Sequence, residues 1–340
     1  MRVQLRSIIV ILKVGGACDD AVSVHRWKPL CWFQGVEVCD GEAVHLLSIQ
    51  LCTDKLLIAA ADGRCWLTCL GTSKVTALPV SGLAAERLSL AASAMEGAIV
   101  SGLAQIGDAP TDVSWTLARY IRWLAGNFVF AGQTPGLFRR AAERFEAAAR
   151  ADLAALARKK AEEEDGHADL AYRDLKALGL PAAQVIELVR PPSADAFADR
   201  FRTYVEADEP IALFGFSYCL ERMAVGRSEV FIQKVKSLCP ATAHAARFLK
   251  VHSTVGSDNI HVHEQVSFFE SLREPELTIV ARAAFETAVM LAQQSLMDKS
   301  FTQAETLQRL GRAGISLPDQ EQGCTTSEED ADMRGVLPAF

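Results

Sequence analysis

The sequence predicts a mainly α-helical protein, and two features of the chain beyond residue 80 support this. Residues 83–303 are rich in Ala, Leu, Arg and Glu, and apolar residues recur there at helical spacing. Pro and Gly divide this stretch into segments of helix length with short connections. Short connections make consecutive helices antiparallel neighbours, so a helical bundle is expected, and bundle cores are places where facing helices build metal sites.

Residues 1–80 differ in composition and are predicted to form a small, mostly β appendage of unknown role. Short apolar runs at 44–51, 55–61 and 65–70 have the length of strands or buried loops. The sequence Ala61-Asp62-Gly63 between two of these runs is typical of a hairpin turn. The predicted order is therefore an appendage at 1–80, a helical domain at 81–303 and a polar tail at 304–340, largely disordered after 316.

Composition and charge exclude several classes of function. The 340 residues are 50% hydrophobic and 23% charged, as in proteins with a sizeable core. The net charge of -7, without a block of Lys or Arg, argues against a nucleic-acid partner. No apolar run reaches the roughly 18 residues of a membrane span. The run 8–12 is interrupted by Lys13 and lacks a good cleavage site, so a cytoplasmic protein is expected.

The longest predicted helix runs from Gly136 to Leu178 and carries an apolar stripe on one face. It ends at Gly179, a residue type that favours helix termination, with Pro181 just beyond. Ser193 is expected to cap the next helix, which runs to about residue 206. Further helices are predicted at 111–125, 210–224, 227–238, 241–252, 258–272 and 276–297.

The first candidate metal ligands are Glu164 and His167 in the acidic stretch 162–167. Residues three apart on a helix share a face, so this carboxylate and this imidazole can both reach one metal ion. The spacing Glu-x-x-His is found in di-iron bundles. The alternative is a solvated acidic helix face with an incidental histidine.

A second group of candidate ligands comprises His252, Asp258 and His261. Asp258 and His261 are again three apart, while His252 lies upstream at the end of a separate predicted helix. Two imidazoles and one carboxylate suit iron or manganese. The alternative is that Asp258 only caps a helix. His263 points away from His261 on a helix, and is expected to be exposed or to support a ligand.

Glu221 follows the strongly apolar run 214–220. It is either the solvent edge of that helix or a buried carboxylate of the kind that bridges two irons. Tyr218, one turn earlier on the same face, either supports Glu221 or belongs to the core. Glu143 and Glu146 are assigned to the outer face of their helix.

These segments resemble the heme-oxygenase-like di-iron oxidase family, also called iron-containing redox enzymes. The relatives of that family by fold are the TenA thiaminases and the pyrroloquinoline-quinone synthases, so the resemblance implies a heme-oxygenase-like helical bundle. It extends over about residues 83–303 and leaves 1–80 without a counterpart. It is carried by 163–167 with 174–175 and 178–179, by 218–221, and by His252 with 258–262.

The resemblance implies a non-haem di-iron oxidase or oxygenase that activates dioxygen. Its expected partners are dioxygen and a small organic substrate. The substrate would be oxidised by amine N-oxygenation or by C–C cleavage. No nucleic-acid or membrane partner is expected, and a homodimer is left open. Two Fe(2+) ions per chain are implied, and manganese at one position is an alternative. The implied ligands are Glu164, His167, Glu221, His252, Asp258 and His261.

The sequence departs from the family pattern at two places. Some members carry a carboxylate two turns before the first histidine, where this chain has Lys160. The family usually places its second histidine four residues before the aspartate, whereas His252 and Asp258 are six apart, with Gly256 at the expected position. Six residues span roughly 600° of helical rotation, so both can bind one centre only if the chain bends, which Gly256 would permit. One iron is therefore expected to be weakly held or absent.

Two other functions are compatible with the sequence. The first is a metal-free enzyme like TenA or pyrroloquinoline-quinone synthase, with Cys219 as the candidate nucleophile, although its apolar surroundings argue against a reactive thiol. The second is a non-catalytic helical interaction protein with solvated acidic and histidine-rich faces. Burial of the site residues separates the interaction protein from the enzymes, and metal content separates the two enzymes.

Overall fold

The computed structural model describes residues 34–39, 42–70, 75–80, 89–105, 115–226, 229–253 and 256–318, with side-chain exposure from residue 45. The predicted mainly helical chain with a β-rich N-terminal part is confirmed within these residues. The predicted boundary at residue 80 stays a prediction. The apolar run 8–12 and the tail beyond 318 lie outside the described residues.

Five strands form one antiparallel sheet in the order β1-β2-β3-β4-β5. The predicted strands at 44–51, 55–61 and 65–70 are confirmed as β2, β3 and β4. In the predicted turn, Gly63 has a φ of 91° and the Arg64 amide donates to the Asp62 carboxylate at 3.1 Å. The strands are β1 Gln34–Cys39, β2 Glu42–Gln50, β3 Lys55–Ala60, β4 Cys65–Cys69 and β5 Val75–Ala77.

The described helices follow the sheet in the chain. They are α1 Leu90–Leu103, α2 Leu117–Ala131, α3 Thr134–Ala147, α4 Ala151–Glu164, α5 His167–Ala177, α6 Ala182–Val189, α7 Pro192–Glu206, α8 Ala212–Val225, α9 Glu229–Lys236, α10 Arg247–Val251, α11 Asp258–Phe269, α12 Glu274–Ala292, α13 Gln294–Met297 and α14 Gln303–Arg312. A 3-10 helix, Pro240–His244, precedes α10. No helix within the described residues is long and apolar enough to cross a bilayer.

The chain divides into two compact units. In the described residues, the first unit consists of everything up to 105 together with 211–219 and 262–292. Its core lies where the sheet meets α1, and a side chain at Gly97 would collide with Leu57 and Cys65. The second unit consists of 115–210, 220–261 and 293–318. This second unit contains all six predicted metal ligands.

A buried carboxylate joins two elements of the second unit. Asp174 in α5 is fully buried and accepts hydrogen bonds from the Phe248 amide at 2.9 Å and from Arg247 Nη1 at 3.1 Å. Burial raises the pKa of Asp174, against the effect of these hydrogen bonds. The link holds the start of α10 against α5. His167 begins α5 and His252 follows α10, so this link joins the two elements that carry these histidines.

Several predicted helix limits were wrong. The helix predicted from 136 to 178 is three helices, because the chain turns at Ala149 (φ 57°) and at Gly166 (φ 83°). The helix predicted at 241–252 is the 3-10 helix followed by α10, and the one predicted at 276–297 is α12 and α13. Helix α14 lies in the predicted polar tail, where no helix was expected.

Ser193 does not cap α7, because Pro192 already begins that helix and proline fits the first helical turn. The Ser193 hydroxyl instead donates to Asp298 at 2.7 Å. The helix predicted at 111–125 begins at Leu117, with Thr116 as its cap, and residues 111–114 lie outside the described residues. Gly179 has the predicted left-handed conformation, with a φ of 77°.

Candidate metal centre

The structure brings the six predicted ligands of the second unit into one connected group of side chains. They come from four helices and one helix end. Glu164 is the last residue of α4, His167 the first of α5, and Glu221 lies in α8. His252 directly follows α10, and α11 contributes Asp258 in its first turn and His261 one turn later.

Glu164 and His167 form a contact, but not along one continuous helix as predicted. The chain turns between them at Gly166, whose left-handed backbone separates α4 from α5. His167 Nδ1 lies 3.0 Å from Glu164 Oε2. With Nδ1–H as the donor, the lone pair of the imidazole is on Nε2, the atom available to a metal ion. The turn at Gly166, and not a shared face of one helix, therefore brings Glu164 and His167 together.

The bend predicted between His252 and Asp258 is present. His252 Nδ1 lies 2.9 Å from Asp258 Oδ2, although six residues separate the two in sequence. The amide of Gly256 donates to the Ser253 carbonyl at 3.0 Å. A Cβ atom at Gly256 would lie 1.9 Å from the Val251 carbonyl oxygen, so only glycine fits this bend. Asp258 is fully buried and lies in the first turn of α11.

His261 and the two histidine–carboxylate pairs surround the same region. His261 Nδ1 lies 4.0 Å from Asp258 Oδ1. The rings of His167 and His252 are perpendicular, with centroids 4.7 Å apart. These contacts define a histidine group, which consists of Glu164, His167, His252, Asp258 and His261.

Glu221 contacts a cation that the sequence analysis placed at a ligand position. Lys160 Nζ lies 3.2 Å from both carboxylate oxygens of Glu221 and 3.0 Å from Glu163 Oε2. All three side chains are largely shielded from water. We call Lys160, Glu163 and Glu221 the lysine group. It adjoins the histidine group, because Glu163 Oε2 is 3.7 Å from His261 Nε2.

Sequence reasoning missed Glu163 as a member of the site. Its position beside Glu162 and Glu164 indicated a solvated acidic face, whereas its side chain is only 15% exposed. The available signal was its spacing from Lys160: residues three apart on a helix are neighbours, so a buried lysine at 160 would draw Glu163 inward.

The surroundings of Glu164 and His261 shift the pKa values of these two residues towards their metal-binding forms. Burial acts to raise the pKa of Glu164, but the hydrogen bond with His167 and the charge of His252 lower it below its usual value. Burial and the Lys160 ammonium lower the pKa of His261. An ionised carboxylate and a neutral imidazole are the ligand forms of these residues.

The histidine group is suited to hold one metal ion. Its side chains are of the types that bind metal ions, and two of its atoms lack hydrogen-bond partners among the residues that the structure describes. Asp258 Oδ1 and His261 Nδ1 are buried without a hydrogen-bond partner and lie 4.0 Å apart. Buried polar atoms ordinarily have partners, so this pair indicates a missing one. Within the described residues, no three His, Cys, Asp or Glu side chains already enclose a single point. In this structure the carboxylates pair with imidazoles and with Lys160, and an ion bound in the histidine group would replace the imidazole contacts.

The other sequence candidates lie outside this group. Tyr218 is fully buried, and its hydroxyl donates at 3.0 Å to Glu96, a buried glutamate of the first unit that sequence reasoning missed. Cys219 is fully buried, which disfavours a nucleophilic role. Glu143 and Glu146 form exposed ion pairs with arginines, as expected for an outer face.

Burial in the second unit argues against the solvated-face alternatives. Glu164 is 8% exposed and Glu221 is 5% exposed, and the side chains of His167 and His261 are each 12% exposed. Buried acids are rare unless they are paired or bind a metal ion. The arrangement is therefore that of a polar site inside the unit.

We expect Gly166→Ala to weaken metal binding through the turn that pairs Glu164 with His167. An alanine Cβ would have open space at this position, so the cost comes from the left-handed backbone alone, about 1–2 kcal/mol. Relief of that strain would shift His167 relative to Glu164. The measurement is metal affinity by calorimetry together with the free energy of unfolding.

Gly179→Ala is the matched control for this prediction. Gly179 has nearly the same φ and equally open surroundings, but it lies after α5, away from the metal ligands. We expect the same loss of stability with unchanged metal affinity. Equal losses of affinity in both variants would contradict the role given to Gly166.

Comparison with known proteins gives structural likenesses only. No protein-family model and no curated protein match the sequence. A domain of unknown function with a heme oxygenase-like fold from Shewanella denitrificans OS217 matches with a TM-score of 0.47 and 17% identity, over 64% of this chain and 88% of that one.

A CADD-like protein of unknown function from Nostoc punctiforme PCC 73102 matches with a TM-score of 0.41 and 15% identity, over 64% of this chain and 89% of its own. A second structure of that protein matches with a TM-score of 0.38 and 15% identity, over 66% and 90%. At these scores the likenesses carry no argument about the site.

Proposed function

We propose that this chain is a non-haem, iron-dependent oxidoreductase on a heme-oxygenase-like bundle, which activates dioxygen to oxidise a small organic substrate. One observation carries the proposal: imidazole and carboxylate side chains from α4, α5, α8, α11 and the end of α10 meet in one buried group. Mixed imidazole and carboxylate ligands suit iron, and a bundle interior is a usual place for such a site.

Bound ferrous iron would supply the electrons that dioxygen needs. The chain would hold the ion with the Nε2 atoms of His167 and His252, with His261, and with the oxygens of Glu164 and Asp258. For Glu164 and Asp258 to bind the same ion as these Nε2 atoms, their present contacts with Nδ1 of His167 and His252 would give way to the ion. Lys160 offsets part of the negative charge of the site. The packed surroundings of these side chains exclude bulk water and so protect reactive species.

The test is iron content per chain after anaerobic loading of the full-length protein with ferrous ion. We expect the wild type to retain iron and the double variant His167→Ala, His261→Ala to lose it. The matched control is His45→Ala with His244→Ala, which removes two exposed histidines outside the site and should retain iron. Wild-type protein that binds no iron would overturn the proposal.

Activity is then measured as oxygen consumption by the loaded protein with candidate small molecules. Amines, amino acids and fatty acids are the first panel, since the proposed chemistry is amine N-oxygenation or C–C cleavage. A protein that binds iron but consumes no oxygen with any reductant would contradict the oxygen-activating part of the proposal.

A further inference from the structure

The lysine group has a cation already built into it. The Lys160 ammonium lies at equal distances, 3.2 Å, from the two oxygens of Glu221, and it reaches Glu163 Oε2 at 3.0 Å. Lys160 is 2% exposed, so water does not replace these contacts. The ammonium therefore sits between two carboxylates, as a metal ion does when two carboxylates hold it.

The ammonium has carboxylate oxygens of both Glu221 and Glu163 within 3.2 Å, so its charge is compensated inside the lysine group. The ammonium engages both oxygens of Glu221. A divalent ion placed on the same oxygens would lie next to a fixed positive charge, which repels it.

We infer that Lys160 takes the place of a second metal ion, so that the chain binds one divalent ion, in the histidine group. This inference rests on the proposed function and narrows it from the two irons that the family resemblance implies to one. The two groups therefore differ in their charges: the lysine group already contains a cation, which lies 3.0 Å from Glu163 Oε2, whereas, within the described residues, Asp258 Oδ1 and His261 Nδ1 of the histidine group are buried without a hydrogen-bond partner and with no cation of their own.

The charge of the site agrees with one ion. Four buried or mostly buried carboxylates face one ammonium, so three negative charges remain when the imidazoles are neutral. One divalent ion reduces this excess to a single negative charge, whereas two ions would make the site positive. Replacing Lys160 by glutamate changes the site by two charges, which is the charge of one divalent ion. A glutamate at this position would therefore create the charge and the oxygen ligand that a second ion needs.

The experiment counts metal ions in full-length wild type, Lys160→Glu and Lys159→Glu after anaerobic titration with Fe(2+). We expect one ion per chain in the wild type and two in Lys160→Glu. Lys159→Glu is the matched control, since Lys159 is the preceding residue of α4, half exposed and paired at 3.6 Å with Glu163. It should bind one ion. Titration with Mn(2+) gives an independent readout, because a single ion and a coupled pair differ in their electron paramagnetic resonance spectra.

The outcomes separate this inference from the proposed function. Two ions in the wild type would overturn the inference and leave the proposed function standing, whereas none would end both. A folded Lys160→Glu that still binds one ion would also overturn it. If circular dichroism shows Lys160→Glu to be unfolded, Lys160→Asp makes the same change of charge with a shorter side chain, and the same count applies to it. Two ions in the wild type overturn the inference whatever the variants do.

Discussion

Gly256→Ala is expected to destabilise the protein and to abolish tight metal binding together. The added Cβ would lie 1.9 Å from the Val251 carbonyl oxygen and 2.4 Å from that of Lys250, both backbone atoms that cannot rotate away. The bend would have to open, and this bend holds His252 Nδ1 within 2.9 Å of Asp258. Overpacking usually costs about 1–3 kcal/mol and occasionally more, and we expect the upper end because backbone must move.

Metal affinity should fall by at least about tenfold in this variant. Removing a residue that only supports a metal ligand already weakens metal binding, and displacing the ligand itself should weaken it more. Denaturant unfolding of the metal-free protein measures the first effect, and calorimetric titration the second. Gly311→Ala in α14 is the control, because its Cβ meets no atom within 4 Å. That change should raise stability by up to about 1 kcal/mol, as glycine is a poor helix residue. Normal metal affinity in Gly256→Ala would show that the bend does not place the ligands.

The six ligands predicted from the sequence do meet, but the sequence did not show that Glu163 joins them or how the backbone brings them together. Glu164 and His167 were paired on the assumption of one helix, yet the helix ends between them. Residues separated by three positions remain close across a tight turn as well as along a helix, so the spacing predicted the contact for a different reason. The glycine at 166 was the local signal, because it alone in that stretch adopts a positive φ without strain.

The pair His252 and Asp258 shows the opposite case. Their six-residue spacing is wrong for a shared helical face, and the sequence analysis could only require a bend at Gly256. The structure contains that bend, with both side chains in contact. The close approach of Gly256 to the Val251 carbonyl could not be predicted, because it depends on where α10 ends rather than on local pattern.

Burial of charge was the property least accessible from sequence. Charged residues usually lie on the protein surface. The sequence pattern alone therefore favours surface positions for Lys160, Glu163 and Glu221. Their ion pairs join α4 to α8 across 61 positions of sequence. Such a contact follows from tertiary packing, which local periodicity does not encode. The identity of residue 160 as a lysine was visible as a departure from the family pattern, but its partners were not.

Lys160→Met is expected to destabilise the metal-free protein by about 3–5 kcal/mol, the cost of removing one partner from a buried ion pair. Methionine keeps the length and apolar character of the side chain, so little packing is lost. The carboxylates of Glu221 and Glu163 would remain in a largely dry environment without the ammonium that contacts both. Chemical denaturation of protein prepared with a chelator measures the change in free energy of unfolding.

Lys159→Met makes the same substitution one residue earlier, where the side chain is 51% exposed. Exposed ion pairs contribute roughly 0–1 kcal/mol, so this control should stay close to the wild type. Equal effects of the two substitutions would contradict a buried role for Lys160. Adding Glu221→Met to Lys160→Met removes the second charge as well. The double variant should therefore lose less stability than the two single losses combined, because neither charge is left buried alone. Additive losses of stability would mean that Lys160 and Glu221 act independently. The inference that the ammonium takes the place of a metal ion would then be wrong.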